Sequence, residues 1–286
     1  QAVFLYFGET ETTMRLLIFI ITLFLTATLH LTTSAPVKAE SYAATVTYLP
    51  NSHTSIDAYH RSAPRISKRL GMKKLEFGAP IFIRIFKQEN ELELWMRDTS
   101  NIYRLYKTYA ICHNSGTIGP KLKEGDRQSP EGFYRIGIGQ MNPWSKYHLS
   151  FNLGYPNEYD KFFDRTGSAL MVHGRCSSIG CFAMTDYYMD EIYTLANSAL
   201  SNGQESFQVH IFPFRLSAEN MTAHLNSQWF DFWSNLKEGY DIFERFHRPP
   251  RVFVEEGNYV FSDEMNMPYA NLSHPSPEAV KVSTKR

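Results

Sequence analysis

Neither sign of charge is in surplus in this chain: 29 Lys and Arg are balanced by 29 Asp and Glu across 286 residues, with no long cationic run. A nucleic-acid partner is therefore not indicated, because binding to a phosphate backbone draws on clustered basic side chains. Cysteine is scarce as well, with only Cys112, Cys176 and Cys181. An odd number leaves at least one thiol unpaired in an oxidising compartment. A free thiol outside the cytosol needs a reason, and catalysis is one. Internal repeats are absent, and the apolar stretch Leu16–Leu31 is short for a membrane span of ~20 residues. What is plentiful is core-forming material, at 43% hydrophobic and 15% aromatic residues. Bulk disorder is excluded.

Met14-Arg15, the apolar stretch and the small and polar residues ending Val37-Lys38-Ala39 follow the pattern of a secretory signal peptide. Residues 14–39 are read as that signal, cut after Ala39, with an uncleaved anchor as the alternative. Residues 1–13 read as upstream read-through. Residues 40–77 form a leader segment with one short helix, and the main body of the chain follows to residue 214. Residues 215–286 are a helical extension and polar tail. The chain is expected to be periplasmic.

From Pro80 onward the pattern is mostly β. Ile81–Phe86 and Glu91–Met96 read as strands joined at Gln88-Glu89-Asn90, and Asn101–Ile111 as a third. Ser115–Gly132, crowded with Gly, Pro and charge, is a long loop of the kind that often serves function. Strand signals return at Phe133–Ile138, Tyr147–Leu153, Ala169–Val172 and Phe207–Phe212. One internal helix is predicted over Thr185–Leu200, capped by Thr185 or Asp186 and ended at Gly203. Residues 217–247 turn helical, with a broad apolar face including Trp229, Phe232, Trp233, Leu236, Tyr240 and Phe243. Packing on the sheet domain is the simple account of that face, and contact with a membrane is the alternative. Past Pro249-Pro250 the tail reads as polar and loosely ordered.

The chemistry concentrates between His173 and Asp186. A predicted strand ends at His173, a Gly- and Ser-rich loop follows, and Cys181 stands shortly before the predicted helix. The thiolate is the reactive form of cysteine, and an adjacent imidazole can take the thiol proton. Gly174 and Gly180 let the backbone turn sharply. N–H groups near Gly180 and Cys181 would then face the oxyanion of a tetrahedral intermediate.

The string His173-Gly174-x3-Ser178-x-Gly180-Cys181-x-Ala183-Met184 resembles the signature of the L,D-transpeptidase catalytic domain (the YkuD-type fold) of bacterial murein enzymes. Upstream, Ser115-Gly116, Gly119-Pro120-Lys121, Glu124-Gly125-Asp126 and Ser129-Pro130-Glu131-Gly132-Phe133-Tyr134 are similar to the family's approach to the site. Ser145–Asp160, with Tyr155-Pro156-Asn157, resembles a short-loop branch. That branch includes the periplasmic amidase releasing the major outer-membrane lipoprotein from murein. The resemblance covers residues 78–214.

It implies a mixed β-sheet catalytic domain with one internal helix, mostly β with α, plus the helical C-terminal extension. It makes Cys181 the nucleophile and His173 the proton carrier, oriented by the carbonyl of Gly174. Ser178 and Gly180 shape the oxyanion pocket. Beside the motif, Lys121, Lys123 and Arg175 are candidates to meet substrate carboxylates and Tyr155 to line the groove, with an ordinary solvated face as the alternative for the basic residues. The eight positions from His173 to Cys181 are about half the spacing in many members, and Phe182-Ala183-Met184 replaces their arginine pattern.

The implied partners are peptidoglycan stem peptides and murein-linked lipoprotein. Nucleic acid is not among them, and membrane contact is limited to the signal segment or the C-terminal helices. No cofactor and no metal are called for. Cys176 is expected on the pocket wall and Cys112 in the core. A metal site at His173-x2-Cys176-x4-Cys181 lacks a fourth clustered ligand. Neither Ser177 nor Ser178 sits in G-x-S-x-G. A non-catalytic murein-binding module is the rival from another class.

Overall fold

The computed structural model describes residues 49–262. The expected signal at 14–39, the read-through before it and the tail beyond 262 lie outside the described residues. The chain enters on α1 (His53–Lys73), a full helix where a short one is expected. Ser52 and Ser55 cap it reciprocally, and Lys74 ends it in the left-handed region. Its buried face is Ser55, Ala58, Ser62, Ile66 and Leu70, at helical spacing. The small residues among them let α1 approach α3 (Asp186–Ser201), where Ser62 Oγ donates to Thr194 Oγ1 at 3.0 Å.

Five strands make the main sheet: β1 (Ile81–Phe86), β2 (Glu91–Arg97), β3 (Tyr103–Ala110), β4 (Gly132–Gly137) and β9 (Ser206–Phe212). Their order is β3-β2-β1-β9-β4, with β1 and β9 parallel and the other pairs antiparallel. All six residues of β1 are buried, which requires cover on both faces. The two-residue period divides them cleanly. Ile81, Ile83 and Ile85 join the core cluster that includes residues of α1 and α3. Phe82 and Phe86 turn to the opposite face, where α5 (Phe230–Phe246) packs. Arg84, on that second face, is held by Glu93 and Glu244.

The second face bears on two expectations. The apolar side of the C-terminal helices, α4 (Ala218–Ala223) and α5, is used in packing: Phe232, Trp233, Leu236, Tyr240 and Phe243 are all buried. Among the described residues no helix is long and apolar enough to cross a membrane. The chain after Pro250 is a hairpin, β10 (Arg251–Glu255) with β11 (Asn258–Ser262), rather than a loose tail. One aromatic anchors it. Tyr259 stacks on Tyr159 at 4.4 Å, and Asn235 bonds both its N–H and its carbonyl.

A smaller sheet, β5-β6-β7-β8, carries the chemistry. It comprises β5 (Met141–Asn142), β6 (Ser150–Asn152), β7 (Met171–His173) and β8 (Phe182–Ala183). Between β6 and β7 lies the short helix α2 (Glu158–Phe162). The β7–β8 pair is parallel, yet only residues 174–181 connect it. Parallel neighbours usually need a dozen residues or more. Two short strands and two left-handed residues, Arg175 (φ 62°) and Gly180 (φ 100°), let this loop close.

Candidate active site

Val172 pairs with Phe182 and His173 with Ala183. Val172 and Phe182 face the core, so His173 and Ala183 take the other face. Cys181 lies one step before β8, beside Met171, whose N–H donates to its Sγ at 3.4 Å. The imidazole and the thiol are therefore diagonal neighbours on one face of adjacent strands. Both line a cavity of about 380 Å3, with Asn142, Ser145, Lys146, Tyr147, Ser178 and Ile179 among its other walls. A second cavity of about 330 Å3, between β4 and the C-terminal hairpin, is lined by no Cys, His or Ser.

The Gly174 carbonyl accepts from His173 Nδ1 at 2.6 Å. A carbonyl only accepts, so Nδ1 carries the proton and Nε2 is the basic nitrogen. The Tyr147 ring packs on the imidazole at 4.8 Å. Gly174 has no room for a Cβ: one would meet Asp186 Oδ1 at 2.7 Å and the Tyr147 carbonyl at 2.8 Å. Asp186 meanwhile accepts from the Arg175 N–H at 2.7 Å. The Cys181 turn is pinned through its own carbonyl, which accepts from Ser178 Oγ at 2.7 Å and Ser129 Oγ at 3.3 Å. Among the described residues, the N–H groups of Gly180 and Cys181 have no backbone acceptor.

Burial pushes the Cys181 thiol above its ordinary range, against the Met171 N–H and the nearby Lys121 ammonium, which both favour the thiolate. Burial likewise lowers His173, with the Gly174 carbonyl pulling the other way. At neutral pH the resting pair is thus thiol and neutral imidazole. Cys181 Sγ donates to the Ala169 carbonyl, with sulfur and oxygen 3.6 Å apart. Catalytic hydrogen bonds are often loose before substrate binds.

The structure brings Cys181, His173, Gly174, Ser178 and Gly180 together around one turn. Other expected site residues fall elsewhere. Lys121 is 4% exposed, its ammonium donating to Asp126 at 2.6 Å and to the Lys123 carbonyl at 2.8 Å. It does not line the cavity. Asp126 folds back along the same loop to claim it. Tyr155 is buried too, its hydroxyl donating to the Lys121 carbonyl, so it supports the loop rather than lining the groove. Arg175 is exposed and lies outside the cavity lining.

The other cysteines pair. Cys112 and Cys176 form a disulfide, and Cys181 alone among them is free. Cys112 is exposed rather than in the core, and Cys176 is a tether rather than a pocket wall. The disulfide removes Cys176 from the three-ligand metal set. Among the described residues no other group of three metal-ligating side chains comes together. Sequence reasoning missed Asn142, Ser145, Lys146, Tyr147 and Ile179. The only hint of them was the aromatic and polar run between two β-like stretches.

Among the described residues, a cysteine one step before β8 and a histidine on β7 whose ring has a single hydrogen-bond partner thus stand beside a glycine turn whose Gly180 and Cys181 N–H groups have no backbone acceptor. The chain belongs to the L,D-transpeptidase catalytic-domain family (YkuD), whose domain it matches over residues 80–211. It is 44% identical over 211 residues to the protein named "Putative L,D-transpeptidase YafK" of Escherichia coli strain K12, covering 72% of this chain and 85% of that relative. The protein of the same name from Escherichia coli O157:H7 is equally similar. Among solved structures, a variant of the helical cell shape determining protein Pgp2 from Campylobacter jejuni aligns at 22% identity. That alignment has a TM-score of 0.39 and covers 56% of this chain and 55% of that one.

Proposed function

We propose that this chain is an exported acyltransferase of the bacterial cell wall, acting through a Cys181 thioester on stem peptides of peptidoglycan. The observation that carries the reading is the free Cys181, which shares an open cavity with a histidine whose Nδ1 is already committed to Gly174. On substrate binding the thiol gives up Ala169 and passes its proton to His173 Nε2. The sulfur attacks the carbonyl carbon on the L-centre of a diaminopimelate residue. The negative oxygen is met by the N–H groups of Gly180 and Cys181, each such donor being worth roughly 10²–10³ in rate. Collapse breaks the C–N bond, the leaving amine takes the proton from Nε2, and a thioester remains. An incoming amine, deprotonated by Nε2, then attacks the thioester and releases Cys181. Water in place of the amine makes the same site an amidase, able to free murein-linked lipoprotein. The Cys112–Cys176 disulfide supports a periplasmic location, since such bonds persist in oxidising compartments.

The test is incubation of purified protein with lipoprotein-linked murein and with free tetrapeptide murein, read by mass. New diamino-acid cross-links identify transfer, and released peptide identifies the amidase. Cys181→Ala and His173→Ala should each abolish turnover. A fully active Cys181→Ala protein, or a wild type silent on both substrates, would refute the proposal and leave a binding module.

A further inference from the structure

Helix α1 lies outside the matched segment, yet it reaches the loop that walls the site. Ser52 Oγ donates to the Pro143 carbonyl at 2.7 Å, where that loop begins. Near its end, His148 Nε2 meets Asp190 Oδ1 at 2.6 Å, and Arg61 of α1 grips the same carboxylate at 2.8 and 3.1 Å. His148 is held at φ 71°, a region uncommon for a residue with a side chain, so its backbone needs an external hold. Asp190 is almost fully buried, which gives that hold a fixed post.

What the loop touches is the catalytic pair. The Tyr147 ring lies on the His173 imidazole, and the Tyr147 carbonyl and His148 Cβ each come within 2.8 Å of where a Gly174 Cβ would sit. Gly174 is thereby clamped between this loop and Asp186. Its carbonyl is the group that orients His173 Nδ1. The Gly174 N–H also donates to the Leu149 carbonyl at 3.0 Å, so a shift of the loop is passed to the residue whose carbonyl sets the imidazole's direction.

We infer that Arg61, Asp190 and His148 are positioning residues for the active site: together they hold the Tyr147–His148 backbone against Gly174, and so fix the direction of His173 Nε2. The inference takes the reaction from the reading above, but the positioning itself can be measured without turnover. Cys181 is the free thiol, and its rate of alkylation by iodoacetamide follows its ionisation, which senses the imidazole beside it.

The experiment compares the wild type with Asp190→Asn, His148→Asn and Arg61→Gln, using Arg69→Gln as a control that alters α1 without touching the loop. Asn tolerates the backbone that His148 adopts, so that variant removes the Asp190 contact alone. If Asp190→Asn does not fold, the other two carry the test. The expected result is a displaced midpoint in the pH profile of Cys181 alkylation for the loop variants, with the Arg69→Gln midpoint on that of wild type. On muropeptide substrate, kcat should fall roughly ten- to a hundredfold at little-changed KM, the cost of a misplaced catalytic group. Loop variants with the wild-type midpoint would overturn the inference, whatever their kcat. A wild type that turns over no muropeptide would sink the proposed reaction and leave the alkylation comparison intact.

Discussion

Cys181 is half-sheltered, bonded by a strand N–H, and pushed by burial away from the thiolate that the proposed reaction uses. His173, also driven toward its neutral form, is a ready proton acceptor rather than a standing cation. The sign of the pH dependence follows. Cys181 should alkylate slowly at neutral pH and faster as pH climbs through a midpoint above the ordinary value of 9.0. Iodoacetamide labelling of Cys181 read by mass spectrometry checks it. A rate already on a plateau near neutrality would mean a standing thiolate–imidazolium pair and contradict the burial argument. At this scale the sequence was informative where a short string decides: the His173-Gly174 and Gly180-Cys181 steps, singled out by their resemblance to the family signature, do lie around one turn beside one cavity. It was silent on Lys121 and Tyr155. A lysine in a Gly-Pro loop reads as exposed until Asp126, five positions on, turns back to bury it.

Among the elements, the unusual one is the loop from Gly174 to Cys181, which joins two parallel strands with few residues. Its middle is fastened from outside by the Cys112–Cys176 disulfide, with Cα atoms 5.4 Å apart and a sequence separation of 64. A link over that many residues contributes about 2–4 kcal/mol. The double variant Cys112→Ser/Cys176→Ser should lose roughly that much stability in a urea titration. Cys181 should then alkylate with a broader range of rates as the turn loosens. Unchanged stability would mean that the backbone alone closes the loop. The strands of the main sheet were legible because β1 is nearly all apolar, β9 alternates apolar residues with Gln208 and His210, and β4 is rich in strand formers. This pairing was not, since three cysteines allow three pairings and spacing does not choose among them. The length of α1 was also hidden, its contact face being built of Ser and Ala as much as of Ile and Leu.

Across the whole molecule, three layers converge on one buried polar group. Glu131, 1% exposed, accepts from Lys87 of the first turn after β1, from the Gly119 N–H, and from Trp233 Nε1 of α5. Lys87 also donates to the Ser129 carbonyl, and Ser129 Oγ bonds the Cys181 carbonyl. The C-terminal helices are thus joined to the Cys181 turn through a chain of hydrogen bonds. They also cover Phe86, Phe133 and Phe212 of the sheet. Removing them uncovers an aromatic face and strands the Glu131 carboxylate with one donor fewer. Glu131→Gln should cost about 3–5 kcal/mol, because Lys87 is left as a buried unpaired charge. Trp233→Phe, which keeps most of the ring volume but loses the donor, should cost about 1–3 kcal/mol. Denaturant melts of both single variants and the double test the link: partners in one network are non-additive, so the double should lose less than the sum. Strict additivity would mean that α5 is held by its aromatic packing alone and that Glu131 answers only to Lys87.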